Sequence, residues 1–205
     1  MSRTRVKICG TTRPQDVDAA VSAGADALGF VFTRRSKRFV DIPAARELDA
    51  RVPAFVSRVG LFMDQDEDEV RAVLNEVPLS LLQFHGREGG SFCTRFGLPY
   101  IKALDVAGAI SPGLETEFSA AAALLLDSHE AGAPGGTGKT FDWTSIPPLP
   151  RPLVLAGGLR PDNVRRAVAQ VSPWAVDVSS GVEDSPGVKN AGKMIEFINE
   201  AKSED

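Results

Sequence analysis

Cys9 and Asp127 carry reactive groups at unusual places in the chain. Each closes a short apolar run, VKIC (6–9) and ALLLD (123–127), where the run gives way to a turn. A cysteine kept only for packing suits the middle of such a run; at its end, next to Gly10, the thiol is placed to react. Strand alternation puts Lys7 on the same side as Cys9. An ammonium there favours the thiolate, lowering a thiol pKa that is ordinarily about 8.5. A lysine turned inward needs a counter-charge, and Asp177 in WAVDVS (174–179) is the candidate, offsetting part of that pull. Other reactive or polar groups also gather where apolar runs end: Gln83 and His85 in LSLLQFHG, Asp105 after YIKAL, and Ser179 two residues after Asp177.

Two glycine-bearing segments suit a phosphate. LAGGLRPDNV (155–164) passes from an apolar run through Gly157 and Gly158 into a helix start, and VSSGVEDSPGVKN (178–190) sets the hydroxyls of Ser179 and Ser180 beside Gly181. In both, backbone N–H groups can approach an anion closely. APGGTGKT (133–140) nearly spells a nucleotide-binding loop, with Ala133 in place of its first glycine. Such a loop must leave a strand directly and open a helix. Here five residues separate it from Asp127 and the proline-rich FDWTSIPP follows, so it reads instead as a glycine-rich lid beside Asp127, with His129 incidental to it. The basic run TRRSKRFVD (33–41) suits either a solvated face or an arginine that grips a substrate carboxylate through two parallel hydrogen bonds. Cys93, in the helix-like GGSFCTRF (89–96), reads as structural.

The elements that must position these groups alternate along the chain. Eight short runs rich in Val, Leu, Ile or Phe occur at 6–9, 27–32, 54–62, 79–84, 100–104, 123–127, 152–157 and 174–179. They have the composition of strands buried on both faces. Helix-like stretches separate most of them. RPQDVDAAVSAGA begins with a proline, DEDEVRAVLNEV places acids in its first turn, RPDNVRRAVAQV repeats the pattern, and KNAGKMIEFINEA follows the last strand. The weakest stretches are GLETEFSAA, which is short, and FDWTSIPPLP, whose three prolines leave room for little more than one turn. Eight strand–helix units with no linker between them, at roughly 26 residues each, predict one (β/α)8 barrel over residues 1–205. A doubly wound open sheet is the alternative. In a barrel, the strand ends that carry Cys9 and Asp127 form the face where sites are built.

Composition narrows the partners. The chain of 205 residues is 43% apolar and 24% charged with a net charge of -4, which suits a folded protein and gives no general attraction to nucleic acid or an anionic membrane. No segment approaches the roughly 20 apolar residues of a membrane span, and the first ten residues do not read as a signal peptide. Two cysteines make no disulfide framework and two distant histidines no metal cluster, so the expectation is a cytoplasmic protein without a metal.

KICG, GFVF with SKR, LQFHG, LLLDS, GGTGKTFDW, LAGGL and DVSSGVE occur here in the order seen in the phosphoribosylanthranilate isomerases of tryptophan biosynthesis, which the chain resembles from its first strand to its last. The resemblance implies a (β/α)8 barrel that catalyses, without a cofactor, the third step from chorismate. This is the Amadori rearrangement of N-(5-phosphoribosyl)anthranilate to 1-(2-carboxyphenylamino)-1-deoxyribulose 5-phosphate. It implies that Asp127 is the general acid that opens the ribose ring and Cys9 the general base that removes the C2 proton. Arg38 then holds the anthranilate carboxylate, with Lys7, Gln83, His85 and Asp177 as further substrate contacts. Gly157, Gly158, Ser179, Ser180 and Gly181 form the phosphate cradle. The expected partner is a small phosphorylated molecule, with neither nucleic acid nor membrane, and the chain is expected to be a monomer or homodimer. One departure from the family pattern is Arg34, where many relatives have proline nearby. Three rival readings are weaker. Another sugar-phosphate isomerase or epimerase barrel would want a metal or paired acids. A bifunctional relative would want an aspartate where Cys9 stands, and a non-catalytic sugar-phosphate-binding barrel would lack Cys9 or Asp127.

Overall fold

Eight parallel strands close into a barrel in strictly sequential order in the computed structural model, which describes residues 3–105, 113–127, 143 and 146–203. They are β1 (Arg5–Cys9), β2 (Ala27–Val31), β3 (Ser57–Phe62), β4 (Leu81–Phe84), β5 (Tyr100–Leu104), β6 (Ala123–Leu126), β7 (Leu153–Leu155) and β8 (Ala175–Val178). β1 pairs with both β2 and β8, which closes the sheet and rules out the open alternative.

The helices begin where local chemistry satisfies their first N–H groups. In α1 (Pro14–Ser22), Pro14 occupies the first turn, where no N–H is needed. α2 (Ile42–Asp49) is capped by Asp41, which accepts from the Ala44 N–H at 2.9 Å. α3 (Glu67–Glu76) has a reciprocal box in which Asp66 accepts from the Glu69 N–H and the Glu69 side chain accepts from the Asp66 N–H. α4 (Gly90–Cys93) continues as a 3-10 turn over Thr94–Phe96, and α5 (Leu114–Glu117) is one turn long. α6 (Pro161–Val171) and α7 (Ala191–Lys202) complete the ring among the described residues. Residues 146–150 adopt no helix, as their prolines predict. The proposed lid at 133–140, together with His129, lies outside the described residues.

Strand alternation divides the core in two. Val6, Ile8, Leu28, Phe30, Leu82, Phe84, Leu124, Leu155, Val176 and Val178 pack outward against the helices. Ile101, Ala103, Ala123, Leu125, Val154, Ala156 and Ala175 fill the barrel interior. Small residues make room there for larger neighbours. Gly29 is the register partner of Cys9, and a Cβ added to it would lie 2.9 Å from the Cys9 sulfur and 3.2 Å from Lys7 Cε. An antiparallel hairpin follows β8, formed by β9 (Glu183–Ser185) and β10 (Val188–Lys189). The apolar pattern does not reveal it, because strands of three and two residues are too short to show alternation.

Candidate active site

Cys9, at the end of β1, lies among the inward-facing residues Val31 and Leu61 and is 5% exposed. Lys7 is inward on the same strand, and its ammonium meets the Asp177 carboxylate of β8 at 2.7 Å, as parity and the Lys7–Asp177 register require. Their side chains are 5% and 9% exposed. Burial alone would push the Lys7 ammonium down, but Asp177 and Cys9 beside it hold its pKa above the ordinary value. The expected lowering of the Cys9 pKa is not found. Burial pushes the thiol up, Asp177 adds to the rise, and the pull of Lys7 and Lys189 does not reverse it. Lys7 is the largest influence the other way, but the cost of holding a thiolate away from water outweighs it.

His85, just after β4, and Asp127, just after β6, meet over the end of the intervening β5. Asp127 follows β6, and its Oδ2 lies 3.6 Å from His85 Nε2. The Gln83 amide nitrogen lies 3.0 Å from His85 Nδ1. Burial pushes the imidazole pKa down, so the ring is neutral near pH 7, accepts from Gln83 at Nδ1 and turns its Nε2–H toward Asp127. Gln83 is wholly buried, and its Oε1 has no hydrogen-bond partner among the described residues. In the closed ring only β7 and β8 separate β6 from β1, so Asp127 and Cys9 lie at the same end of the barrel, three strands apart.

Arg38 reaches this end from the segment after β2, its stem packed over Gly10 so closely that a Cβ there would lie 2.5 Å from its Cδ. Its Nε and Nη2 donate to Glu183 Oε1 and Oε2 at 2.8 and 2.7 Å. Arg34, the departure from the family pattern, places its guanidinium over Phe39 at 5.6 Å. Glu183 and its second partner, Lys189, escaped the sequence reading. The Lys189 ammonium, fully buried, donates to Glu183 Oε1 (2.8 Å), to the Cys9 carbonyl (2.5 Å) and to the Ser179 carbonyl (3.1 Å). Burial alone would raise the Glu183 pKa, yet Arg38 and Lys189 hold it below the usual carboxylate range. A second unforeseen pair, Lys102 with Glu88 at 2.9 Å, is 4% exposed on each side. Lys102 also donates to the Gly86 carbonyl at 2.6 Å, and so braces the loop that carries His85. The one available signal was a lysine inside the otherwise apolar YIKAL run.

The two glycine loops meet. Gly157 and Gly158 have φ of 81° and 66°, and Asn163 of α6 donates to the Gly158 carbonyl at 3.0 Å while accepting from the Arg160 N–H at 2.8 Å. Gly181 rests on the loop after β7, where any Cβ would overlap the Leu159 carbonyl oxygen. Ser180 and Gly181 open a 3-10 turn (Ser180–Val182), so their N–H groups have no partner inside that turn. Ser179, just before it, lies with its Oγ 3.4 Å from Lys189. Cys93 is buried with its pKa pushed up to about 12 by that burial, in keeping with a structural role. Among the described residues, no group of three or more His, Cys, Asp or Glu side chains could hold a metal ion, and no helix is long and apolar enough to cross a membrane.

The family model for N-(5'-phosphoribosyl)anthranilate (PRA) isomerase matches residues 6–200. An N-(5'-phosphoribosyl)anthranilate isomerase of Thiobacillus denitrificans is 54% identical over 201 residues, covering 97% of this chain and 98% of its own length. The Pseudomonas aeruginosa protein of the same name is 50% identical over 205 residues, covering 99% and 97%. Among solved structures, the phosphoribosyl anthranilate isomerase of Thermus thermophilus superposes with a TM-score of 0.86 at 38% identity, covering 96% of this chain and 98% of that one. A phosphoribosyl anthranilate isomerase in complex with reduced 1-(o-carboxyphenylamino)-1-deoxyribulose 5-phosphate gives 0.78 at 37% identity, covering 97% and 98%. With a closed barrel, Cys9 and Asp127 at one mouth, and a match that runs from the first strand to the last helix, the chain belongs to the phosphoribosylanthranilate isomerase family.

Proposed function

We propose that Asp127 and Cys9 divide the work of isomerising N-(5'-phosphoribosyl)anthranilate, the reaction of this family in tryptophan biosynthesis. Asp127 protonates the ring oxygen of the ribose, which opens the ring to a Schiff base. Cys9, as thiolate, removes the proton from C2 and leaves an enolamine that tautomerises to the ketone. The observation that carries this reading is their placement: both groups end inward-facing rows at the same mouth, three strands apart around it. A pentose lying between them would present its ring oxygen to one and C2 to the other. A thiol whose pKa is raised is a stronger base once it has lost its proton, which suits a carbon acid.

The remaining residues fit the substrate's two anionic ends. Arg38 binds the anthranilate carboxylate, and Gly157, Gly158, Ser179, Ser180 and Gly181 receive the phosphate through N–H groups and hydroxyls. Lys7 and Asp177 set the charge beneath Cys9, while Gln83 and His85 line the side of Asp127. The test is loss of anthranilate fluorescence on mixing the protein with freshly made phosphoribosylanthranilate. Consumption with formation of the deoxyribulose product supports the reading, and no consumption above the uncatalysed rate defeats it.

A further inference from the structure

Arg38 is not a free arginine waiting for a ligand. Glu183 already occupies one edge of its guanidinium, with two bonds of 2.8 and 2.7 Å to Nε and Nη2. A guanidinium has five N–H donors, so the two on Nη1 and the second on Nη2 form another edge that can receive a second carboxylate. The side chains of Arg38 and Glu183 are 13% and 4% exposed, so the pair is held by the protein and not by solvent. We propose that Glu183 is a positioning residue for substrate binding: by holding the Nε–Nη2 edge of Arg38, it aims the Nη1 edge at the carboxylate of the substrate. The inference rests on the assignment of Arg38 to that carboxylate.

Three features of the cluster support it. Glu183 is itself fixed by Lys189, its cross-strand partner in the β9–β10 hairpin. Lys189 also holds the carbonyls of Cys9 and Ser179, so one buried network joins the end of β1, the arginine and the start of the β8 loop. The charges of Arg38, Lys189 and Glu183 sum to one net positive, which one substrate carboxylate neutralises. Without Glu183, two cations would face each other with no anion between them, and the long arginine side chain would lose its only bidentate hold among the described residues.

The experiment compares inhibition by the reduced product analogue with inhibition by its twin lacking the ring carboxylate, in the wild type, Arg38→Ala and Glu183→Gln. The wild type should prefer the carboxylate-bearing analogue by about tenfold to a hundredfold, the range for charge-assisted hydrogen bonds. Arg38→Ala should abolish the preference. Glu183→Gln should cut it by about tenfold while leaving affinity for the twin unchanged. A preference that is kept, or that rises because Glu183 had competed for the arginine, overturns the inference. So does equal weakening of both analogues, which would mark a merely structural role. A wild-type preference near one would instead remove the assignment of Arg38, and this inference with it. Should Glu183→Gln fail to fold, Glu183→Asp keeps the charge with a shorter reach and is read in the same way. A reduced preference supports the role, and an unchanged one refutes it.

Discussion

The ion pairs around Cys9 and those where the strands begin handle charge differently. At the end where the strands finish, the ion pairs nearest Cys9, Arg38 and His85 are buried: Lys7–Asp177, Arg38–Glu183, Lys189–Glu183 and Lys102–Glu88 have side chains between 0% and 13% exposed, while Arg160–Asp162 and Lys193–Asp184 on the rim are open. At the end where the strands begin, most are open to water, Arg58–Asp49 at 22% and 10% being the exception. Arg3 and Lys202 meet Asp26 with exposures of 54%, 21% and 21%, and Arg46 meets Glu76 at 62% and 51%. Buried pairs give up hydration that their mutual attraction recovers only in part, so they are a poor way to gain stability. Their concentration around Cys9, Arg38 and His85 indicates that this end is built for the electrostatics of a site. The other end is built to hold the chain together.

Substitutions at the two ends should therefore differ in kind. The largest effect is expected at Asp127. Asp127→Asn keeps the shape but cannot deliver a carboxylic proton, and steady-state kinetics should show kcat reduced by ~10²–10⁴-fold with KM little changed. Next is Lys7→Met, which leaves Asp177 buried without its partner. Chemical denaturation should show a loss of about 3–5 kcal/mol, much of it recovered when Asp177→Leu is added. A loss that the second substitution does not recover would show that the pair stabilises the barrel, and would erase the contrast between the two ends.

The pH profile comes next. Because burial holds the Cys9 thiol above its ordinary pKa, only a small fraction is thiolate near neutrality. Followed by thiolate absorbance in Cys93→Ala, the Cys9 thiolate fraction should therefore rise with pH by up to about tenfold per unit until the thiol titrates. A thiolate fraction already at its maximum at neutral pH would show that burial does not govern the thiol. The smallest effect belongs to the far end. Asp26 accepts from Arg3, Lys202 and the Val6 N–H, which together hold its pKa down against the rise that burial would cause. Its contribution is therefore full above the ordinary carboxylate range and is lost as the pH falls through the lowered folded value. Asp26→Asn should cost about 1–2 kcal/mol near neutrality, with a difference from wild type that shrinks in acid and with kcat unchanged.

The contrast was only half visible in the amino-acid pattern. The eight strands were legible because each is buried on both faces and so reads as a short apolar run. Lys7 and Asp177 were legible together because strand parity turns both inward and a buried ammonium demands a partner. Glu183 and Lys189 were not. They lie in a hairpin too short for a period, and their partners, Arg38 and the Cys9 carbonyl, come from more than a hundred residues away. Lys102 was hidden for a similar reason, because its acceptors lie on the preceding loop. The direction of the Cys9 pKa was misread because spacing shows which charges are near but not how deeply they are buried.

The central claim is that Cys9 takes the C2 proton, and the most direct test is the single-turnover rate of Cys9→Ser with saturating phosphoribosylanthranilate. Serine keeps the size of the side chain but is far harder to deprotonate. The rate should fall by ~10²–10⁴-fold with affinity for the reduced product analogue unchanged. A rate near that of the wild type would mean that some other group takes the proton, and would contradict the account.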